Sequence, residues 1–368
     1  MAKTGKAVLV REHGKVSVEQ VSVASPGPGE VMVHIKACGV CASDAAAVSG
    51  KMPLPPPLVL GHEGAGVICE VGEGVRDLAV GDHVLMSFIP QCGTCRFCVS
   101  GEGQLCNDHA KVYFSLPDGT TRVTDQKGDR LNIFSGCGCM AQYTTVVRNS
   151  VVKIDPDLPL DKACLVACGV LTGVGAAINT AKVQAGSSCA VFGAGGIGLN
   201  VIQGCAIAGA EKIIAVDLVD KKLEMAQAFG ATHLVNPKTD GAAPMKIMEI
   251  TGGGADYAFE CIGAGAVVVE AFNSIRKGGT AVVVGVAAPA DTATISATML
   301  TALEKHLCGS WFGSGVPRRD YPRLLSLYRS NRLKLDELVT NTYTVDEAPQ
   351  AFEDLKTGLN ARGVILFE

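Results

Sequence analysis

The chain has no basic footprint. Its 32 Lys and Arg stand against 36 Asp and Glu, a formal net charge of −4, which removes the electrostatic signature of a nucleic-acid binder. It also has no apolar run long enough to span a bilayer. The nearest, "ACLVACGVLTGVGAAI" from Ala163 to Ile178, is shorter than the roughly 20 residues required and carries three glycines and Thr172. A buried helical segment is expected there, and no membrane partner. The opening "MAKTGKAVLVREHG" lacks the uninterrupted apolar stretch of a secretory signal, so a cytoplasmic location is expected. Thiols stay reduced in that compartment. The 15 cysteines, an odd number in a long chain, then fit core residues and metal ligands better than a disulfide framework. No internal repeat and no low-complexity linker breaks the sequence.

What is present reads as a two-domain globular enzyme. Hydrophobic residues make up 48% and charged residues 18% of 368 positions, too long a chain for one ordinary core. Up to Leu160 the sequence carries short alternating strands between Gly and Pro: "KAVLV", "VSVEQV", "VMVHIKAC", "GAGVICEVG", "DHVLM", "QYTTVV". That rhythm predicts a barrel-like, mostly β domain. From Ser188 the strands become continuously apolar, "CAVF", "IIAVD", "HLVN", "ADYAFE", "TAVVVG", with helical stretches such as "KKLEMAQAFG" between them. Such alternation predicts a parallel sheet covered on both faces. The tail adds a helix in "RRDYPRLLSLYRSNRL", the stretch "VDEAPQAFEDLKTG" and a last strand "GVILFE".

In "VFGAGGIGLNVIQGCAIAGAEKIIAVD", Gly193, Gly195 and Gly198 have the G-x-G-x-x-G spacing after a strand and at the opening of a helix. Asp217 closes the next strand, where a carboxylate can accept hydrogen bonds from an adenosine ribose. The glycines allow a tight turn and let a pyrophosphate approach the helix N-terminus, whose unpaired N–H groups favour an anion. Leu218 and Val219 follow the aspartate, with no Arg or Lys for a 2′-phosphate. NAD is therefore expected rather than NADP.

Cys92, Cys95, Cys98 and Cys106, in "PQCGTCRFCVSGEGQLC", can wrap one ion as a closed tetrahedral thiolate site. With four protein ligands such a site has no position left for substrate and is structural. Three other stretches carry potential ligands: "CGVCASD" with Cys41, "GHEGAG" with His62 and Glu63, and "ACGVLTG" with Cys168. Spacing cannot join residues so far apart in the chain. On the residues alone His62 is a turn histidine as readily as a ligand, and Cys168 a core residue.

Taken in this order, "CGVCASD", "GHEGAG", "PQCGTCRFC" with its fourth cysteine, "ACGVLTGVG" and "GAGGIG" resemble the zinc-dependent alcohol dehydrogenases of the medium-chain dehydrogenase/reductase family. The resemblance covers nearly the whole chain. It implies a GroES-like, mostly β catalytic domain over 1–169 and 312–368 and a Rossmann doubly wound NAD-binding domain over 170–311, the active site lying in the cleft between them. It implies two zinc ions per chain, with Cys41, His62 and Cys168 on the catalytic one, Glu63 behind it and Asp44 orienting His62. Ser43 is placed to take the substrate proton. Coenzyme contacts are implied for Thr172, Gly196, Ile197, Lys222 and Arg362 beside the fingerprint residues, and Phe88, Phe134, Ser135 and Val286 fall around the substrate channel.

Two positions depart from familiar animal enzymes of the family: Ala42 stands where an arginine often meets the pyrophosphate, and Ala46 where a proton relay often ends in histidine. The implied activity is oxidation of primary alcohols to aldehydes with NAD, and the reverse, with bulky aromatic, allylic or medium-chain alcohols preferred. A thiol-dependent formaldehyde dehydrogenase is a weaker reading, because the acidic residues it needs before "GHE" are replaced by "KMPLPPPLVL". A non-catalytic zinc protein of the same fold is the reading from another class. The segment between Cys106 and Phe134 is a long insertion of the kind found in dimeric relatives, so a dimer is expected, with a tetramer second.

Overall fold

The structure, a computed structural model, describes residues 2–358 and 360–368. Two compact units divide the chain, the first built from Met1–Cys168, Val316–Ser326 and Leu335–Glu368, the second from Gly169–Gly315 and Leu327–Lys334.

The first unit carries two sheets. One has the spatial order Val123–Thr124, Lys15–Val23, Lys3–Glu12, Leu58–Val59, Asn132–Ile133. The other runs Val151–Lys153, His83–Met86, Gly64–Val71, Glu30–Val40, Arg362–Leu366, Val339–Thr344, with Tyr143–Val147 also paired to Glu30–Val40. Every alternating segment expected as a strand ahead of Leu160 forms one. The last strand runs antiparallel beside Glu30–Val40, Gly363 opposite Val40, so the tail is part of this sheet. Ala7, Leu9, Val21, Val23, Met32, Val59, Leu131 and Ile133 pack into one apolar cluster.

The second unit is a six-stranded, wholly parallel sheet ordered His233–Val235, Lys212–Val216, Ser188–Phe192, Ala255–Glu260, Ile275–Val283, His306–Gly309. In chain order this is third, second, first, fourth, fifth, sixth, the doubly wound arrangement whose crevice opens where the order reverses, outside the carboxyl ends of the first and fourth strands. Its core joins Phe192, Ile214, Val216, Val235, Ile247, Ala258 and Phe272. Continuously apolar strands are what a sheet covered on both faces demands. The segment 327–334, expected in the first domain's returning tail, goes with this unit instead. The side chain of Gln203 holds it, accepting from Lys334 N at 2.7 Å and donating to Lys334 O at 3.2 Å. The one tryptophan of the chain, Trp311, also belongs to the second unit and is partly exposed.

The apolar stretch Ala163–Ile178 forms the helix Gly169–Gly175 and the helical turns on either side of it, with Leu165, Val166, Val170, Leu171 and Val174 buried. No single helix among the described residues is long and apolar enough to cross a membrane.

Candidate functional site

Within the first unit, strand Glu30–Val40 ends directly before Cys41, and helix Ala42–Ser49 follows at once. The chain then returns through Leu58–Val59 to a turn that carries His62 and Glu63 ahead of strand Gly64–Val71. Cys168 lies at the junction between the turn Cys164–Ala167 and helix Gly169–Gly175. The fully buried Tyr321 sets its hydroxyl 3.0 Å from both the Met86 and Ala167 carbonyls. That tail residue braces the backbone immediately before Cys168, and nothing local in its sequence marks it.

One ligand atom from each of Cys41, His62, Glu63 and Cys168 lies within 4.8 Å of the others, and all four residues are buried. Asp44 is buried behind them, accepting from Gly61 N at 2.9 Å through Oδ1 and standing 3.2 Å from His62 Nδ1 through Oδ2. Nε2 of His62 is buried with no hydrogen-bond partner. An orphaned imidazole nitrogen beside two thiols has the donor chemistry of a two-cysteine, one-histidine zinc site, so the residues fit the ion. Burial works against a charge on His62, yet the carboxylate of Asp44 and the Cys41 sulfur outweigh it and raise its pKa well above the ordinary value. A hydrogen bond with Cys168 lowers Cys41 well below the ordinary thiol.

Glu63 is fully buried, which pushes its carboxyl up to about 7 against the opposing charge of Arg362. The expectation for Arg362 is a coenzyme phosphate. Here its guanidinium is buried, with Nη2 bonded to Glu63 Oε2 and 3.3 Å from the Val40 carbonyl. Gly39 makes room for the pair, since a Cβ there would meet Glu63 Oε2 at 2.1 Å and Arg362 Nη2 at 3.2 Å.

Ser43 is half-buried, its Oγ 3.8 Å from Cys41 Sγ. Ala42 is exposed and Ala46 half-buried. Phe88 and Phe134 stand edge-on to the His62 ring, centroids 5.5 and 5.2 Å away. Ser135 is half-buried and left-handed at φ 52. The aromatic series continues beyond what the sequence suggests. His109 packs against Phe88 at 6.0 Å, with Nδ1 3.2 Å from the Phe88 carbonyl, and the exposed Tyr113 packs against His109 at 5.6 Å. Both residues lie in the insertion after Cys106, and only their ring chemistry could single them out. Val286 belongs to the second unit and is 73% exposed.

The four clustered cysteines form their own group, again with sulfurs within 4.8 Å of one another. Cys92 Sγ is 3.9 Å from Cys98 Sγ, and Cys95 Sγ is 3.9 Å from Cys106 Sγ. Backbone N–H groups already point at sulfur, Cys92 N to Cys106 and Cys95 N to Cys92, both at 3.3 Å. Such bonds favour thiolate, and those from the backbone of Thr94 and Cys95 lower Cys92 to about 6. Four convergent sulfurs fit a structural zinc.

In the second unit the fingerprint turn has the geometry of an anion cradle. Gly193 is left-handed at φ 94, and a Cβ on Gly198 would lie 1.7 Å from the Gly193 carbonyl, so only glycine closes the turn. Gly195 has nothing within 4 Å of where a Cβ would be, and it caps helix Gly196–Ala208 without a side-chain bond. Gly196 and Ile197 are half-buried in the first turn of that helix. Asp217 is pinned at the end of its strand, Oδ2 accepting from Ala194 N at 2.9 Å and Oδ1 from Val219 N at 3.0 Å. Lys222, on helix Asp220–Ala228, and Thr172, on helix Gly169–Gly175, are both half-buried. An open glycine cradle beside a fixed carboxylate fits a dinucleotide.

Comparison with known proteins follows the same division. A family model described as "Alcohol dehydrogenase GroES-like domain" matches residues 27–156, and one described as "Zinc-binding dehydrogenase" matches residues 196–330. "Putative alcohol dehydrogenase D" of Mycobacterium tuberculosis is 44% identical over 369 residues, 99% of this chain and 100% of that protein. Two solved structures align over 100% of both chains. An alcohol dehydrogenase zinc-binding domain protein from Burkholderia ambifaria has a TM-score of 0.96 at 34% identity, and benzyl alcohol dehydrogenase from Acinetobacter calcoaceticus a TM-score of 0.92 at 33%.

Proposed function

Because the chain belongs to the zinc-dependent alcohol dehydrogenases of the medium-chain dehydrogenase/reductase family, we propose that it interconverts primary alcohols and aldehydes with NAD, using Cys41, His62 and Cys168 as ligands of a catalytic zinc. The observation that carries this reading is the buried convergence of those ligands with Glu63, backed by Asp44. When bound, zinc supplies a Lewis acid that lowers the pKa of a substrate hydroxyl. The surrounding residues do the rest. Asp44 fixes the ring orientation of His62, as partners of metal-bound histidines do. Glu63, neutralised by Arg362, keeps a second carboxylate beside the ligands without leaving a buried charge unpaired. Ser43, half-buried beside Cys41, is the group we assign to receive the alcohol proton.

NAD is the proposed coenzyme because Asp217 is already held in place by two backbone N–H groups, so it cannot swing away from a 2′-phosphate. Like charges so close cost several kcal/mol. The native chain should prefer NAD over NADP by roughly a hundredfold or more in kcat/KM, at about 1.4 kcal/mol per decade, and Asp217→Ser should narrow the gap at least about tenfold. Equal efficiency of the two coenzymes in the native chain would refute the assignment.

Phe88 and Phe134 against His62, extended by His109 and Tyr113, support flat, apolar substrates with no charge. Benzyl and cinnamyl alcohol should exceed ethanol in kcat/KM by about tenfold or more, since each methylene a pocket accommodates contributes roughly 1–3 kcal/mol. Medium-chain alcohols should fall between, and secondary alcohols should be poorer because Phe88 limits width. The experiment is zinc content per chain together with growth of the reduced-nicotinamide absorbance across this series. Ethanol as the best substrate would overturn the pocket argument, and no turnover in zinc-replete protein would overturn the function.

A further inference from the structure

Glu260 ends the fourth strand of the parallel sheet, fully buried, and has no part in the function proposed above. Its Oε1 accepts from Ile262 N at 2.8 Å and Gly263 N at 2.7 Å. Its backbone carbonyl accepts from Val284 N at 2.8 Å and Gly285 N at 3.0 Å. Its Oε2 is buried with no partner. Burying a carboxylate with one oxygen orphaned opposes stability, and strand termination does not require it, since an apolar residue would end the strand as well. What the side chain does achieve is specific. It clasps the turn after its own strand, Cys261–Gly263, while its carbonyl clasps the turn after the neighbouring strand, Val284–Val286.

Those two turns touch backbone to backbone. A Cβ on Gly285 would lie 2.1 Å from Gly263 N and 2.8 Å from Glu260 Oε2, and a Cβ on Gly263, left-handed at φ 84, would lie 2.6 Å from the Val286 carbonyl. Ile262, 57% exposed, sets its Cγ1 2.7 Å from where a Cβ on Gly193 would stand. Glu260 therefore links the first glycine of the fingerprint to the exposed Val286 across the crevice where the strand order reverses.

We propose that Glu260 is a positioning residue for the coenzyme, holding the turn with Ile262 as a fixed wall of the dinucleotide crevice through hydrogen-bond acceptance by Oε1. The inference rests on reading the second unit as the coenzyme cradle. Acceptance, not charge, is the function, so glutamine can supply it.

The test titrates NADH into zinc-replete full-length protein, followed by the coenzyme's own fluorescence, and separately measures hydrogen exchange of coenzyme-free protein. E260A should raise the NADH Kd at least about tenfold and strip protection from the amides of Ile262 and Gly263. E260Q should keep both within about twofold of wild type. Amide protection in the rest of the parallel sheet should hold in all variants, which a general loss of folding would not allow. If E260A does not fold, E260D replaces it, because a side chain one methylene shorter cannot reach both N–H groups. Wild-type protein that binds no NADH would overturn the cradle reading itself. Wild-type binding with E260A or E260D unchanged, or E260Q as weak as E260A, would overturn the positioning role alone.

Discussion

Cys41→Ser is expected to contain one zinc per chain in place of two and to lose turnover by on the order of a thousandfold. A Lewis-acid ion stabilises the transition state by several kcal/mol, and about 1.4 kcal/mol corresponds to a decade in rate. The loss should fall on kcat and kcat/KM together, because the interaction removed acts on the reacting oxygen and not on coenzyme binding. NADH affinity should stay within about twofold, since Cys41 and the fingerprint glycines belong to different units. Metal analysis by atomic absorption and steady-state kinetics check the pair of outcomes. A variant that kept two ions and lost less than about tenfold in kcat would remove Cys41 from the catalytic centre.

Cys95→Ser should produce the opposite pattern. The lobe from Cys92 to Cys106 contains only one short helix, Arg96–Val99, and the 3-10 turn Gly103–Leu105. Val99 and Leu105 are exposed, so little apolar burial holds it. Metal binding and folding are then one equilibrium for this segment. Removing a ligand should release one zinc and lower the calorimetric melting temperature by roughly 5–10 °C, at about 2–4 °C per kcal/mol for a unit of this size. Turnover per remaining catalytic zinc at about 25 °C should change far less than in Cys41→Ser. Unchanged metal content and melting would mean the four sulfurs only pack together.

The two metal groups also show what the sequence makes legible. Cys92, Cys95, Cys98 and Cys106 sit within one short continuous stretch, so spacing alone proposes one ion. Cys41, His62 and Cys168 meet only because a strand end, a turn and a helical junction converge in the folded unit. That convergence depends on sheet pairing such as Cys38 opposite Gly64, which no local pattern states. The family resemblance supplies those ligands where spacing stops.

The parallel sheet is readable from its continuous apolar strands. The two-residue strands Leu58–Val59, Val123–Thr124 and Asn132–Ile133 are not, since two residues carry no periodicity. Glu260 is equally hidden, because a carboxylate closing "ADYAFE" reads as an ordinary polar strand end. The family resemblance makes Arg362 a coenzyme contact, while its bond to Glu63 spans 299 positions.

Trp311 gives the division of the chain an optical consequence. Intrinsic indole emission has a single source, and it belongs to the unit that lacks both cysteine–metal groups. A fluorescence melt therefore reports the dinucleotide-binding half. Loss of the structural zinc could loosen the lobe around Cys92 with no change in that signal, whereas calorimetry weighs the heat absorbed by both halves. Where the two melting curves of a variant separate, the gap between them measures how independently the halves unfold.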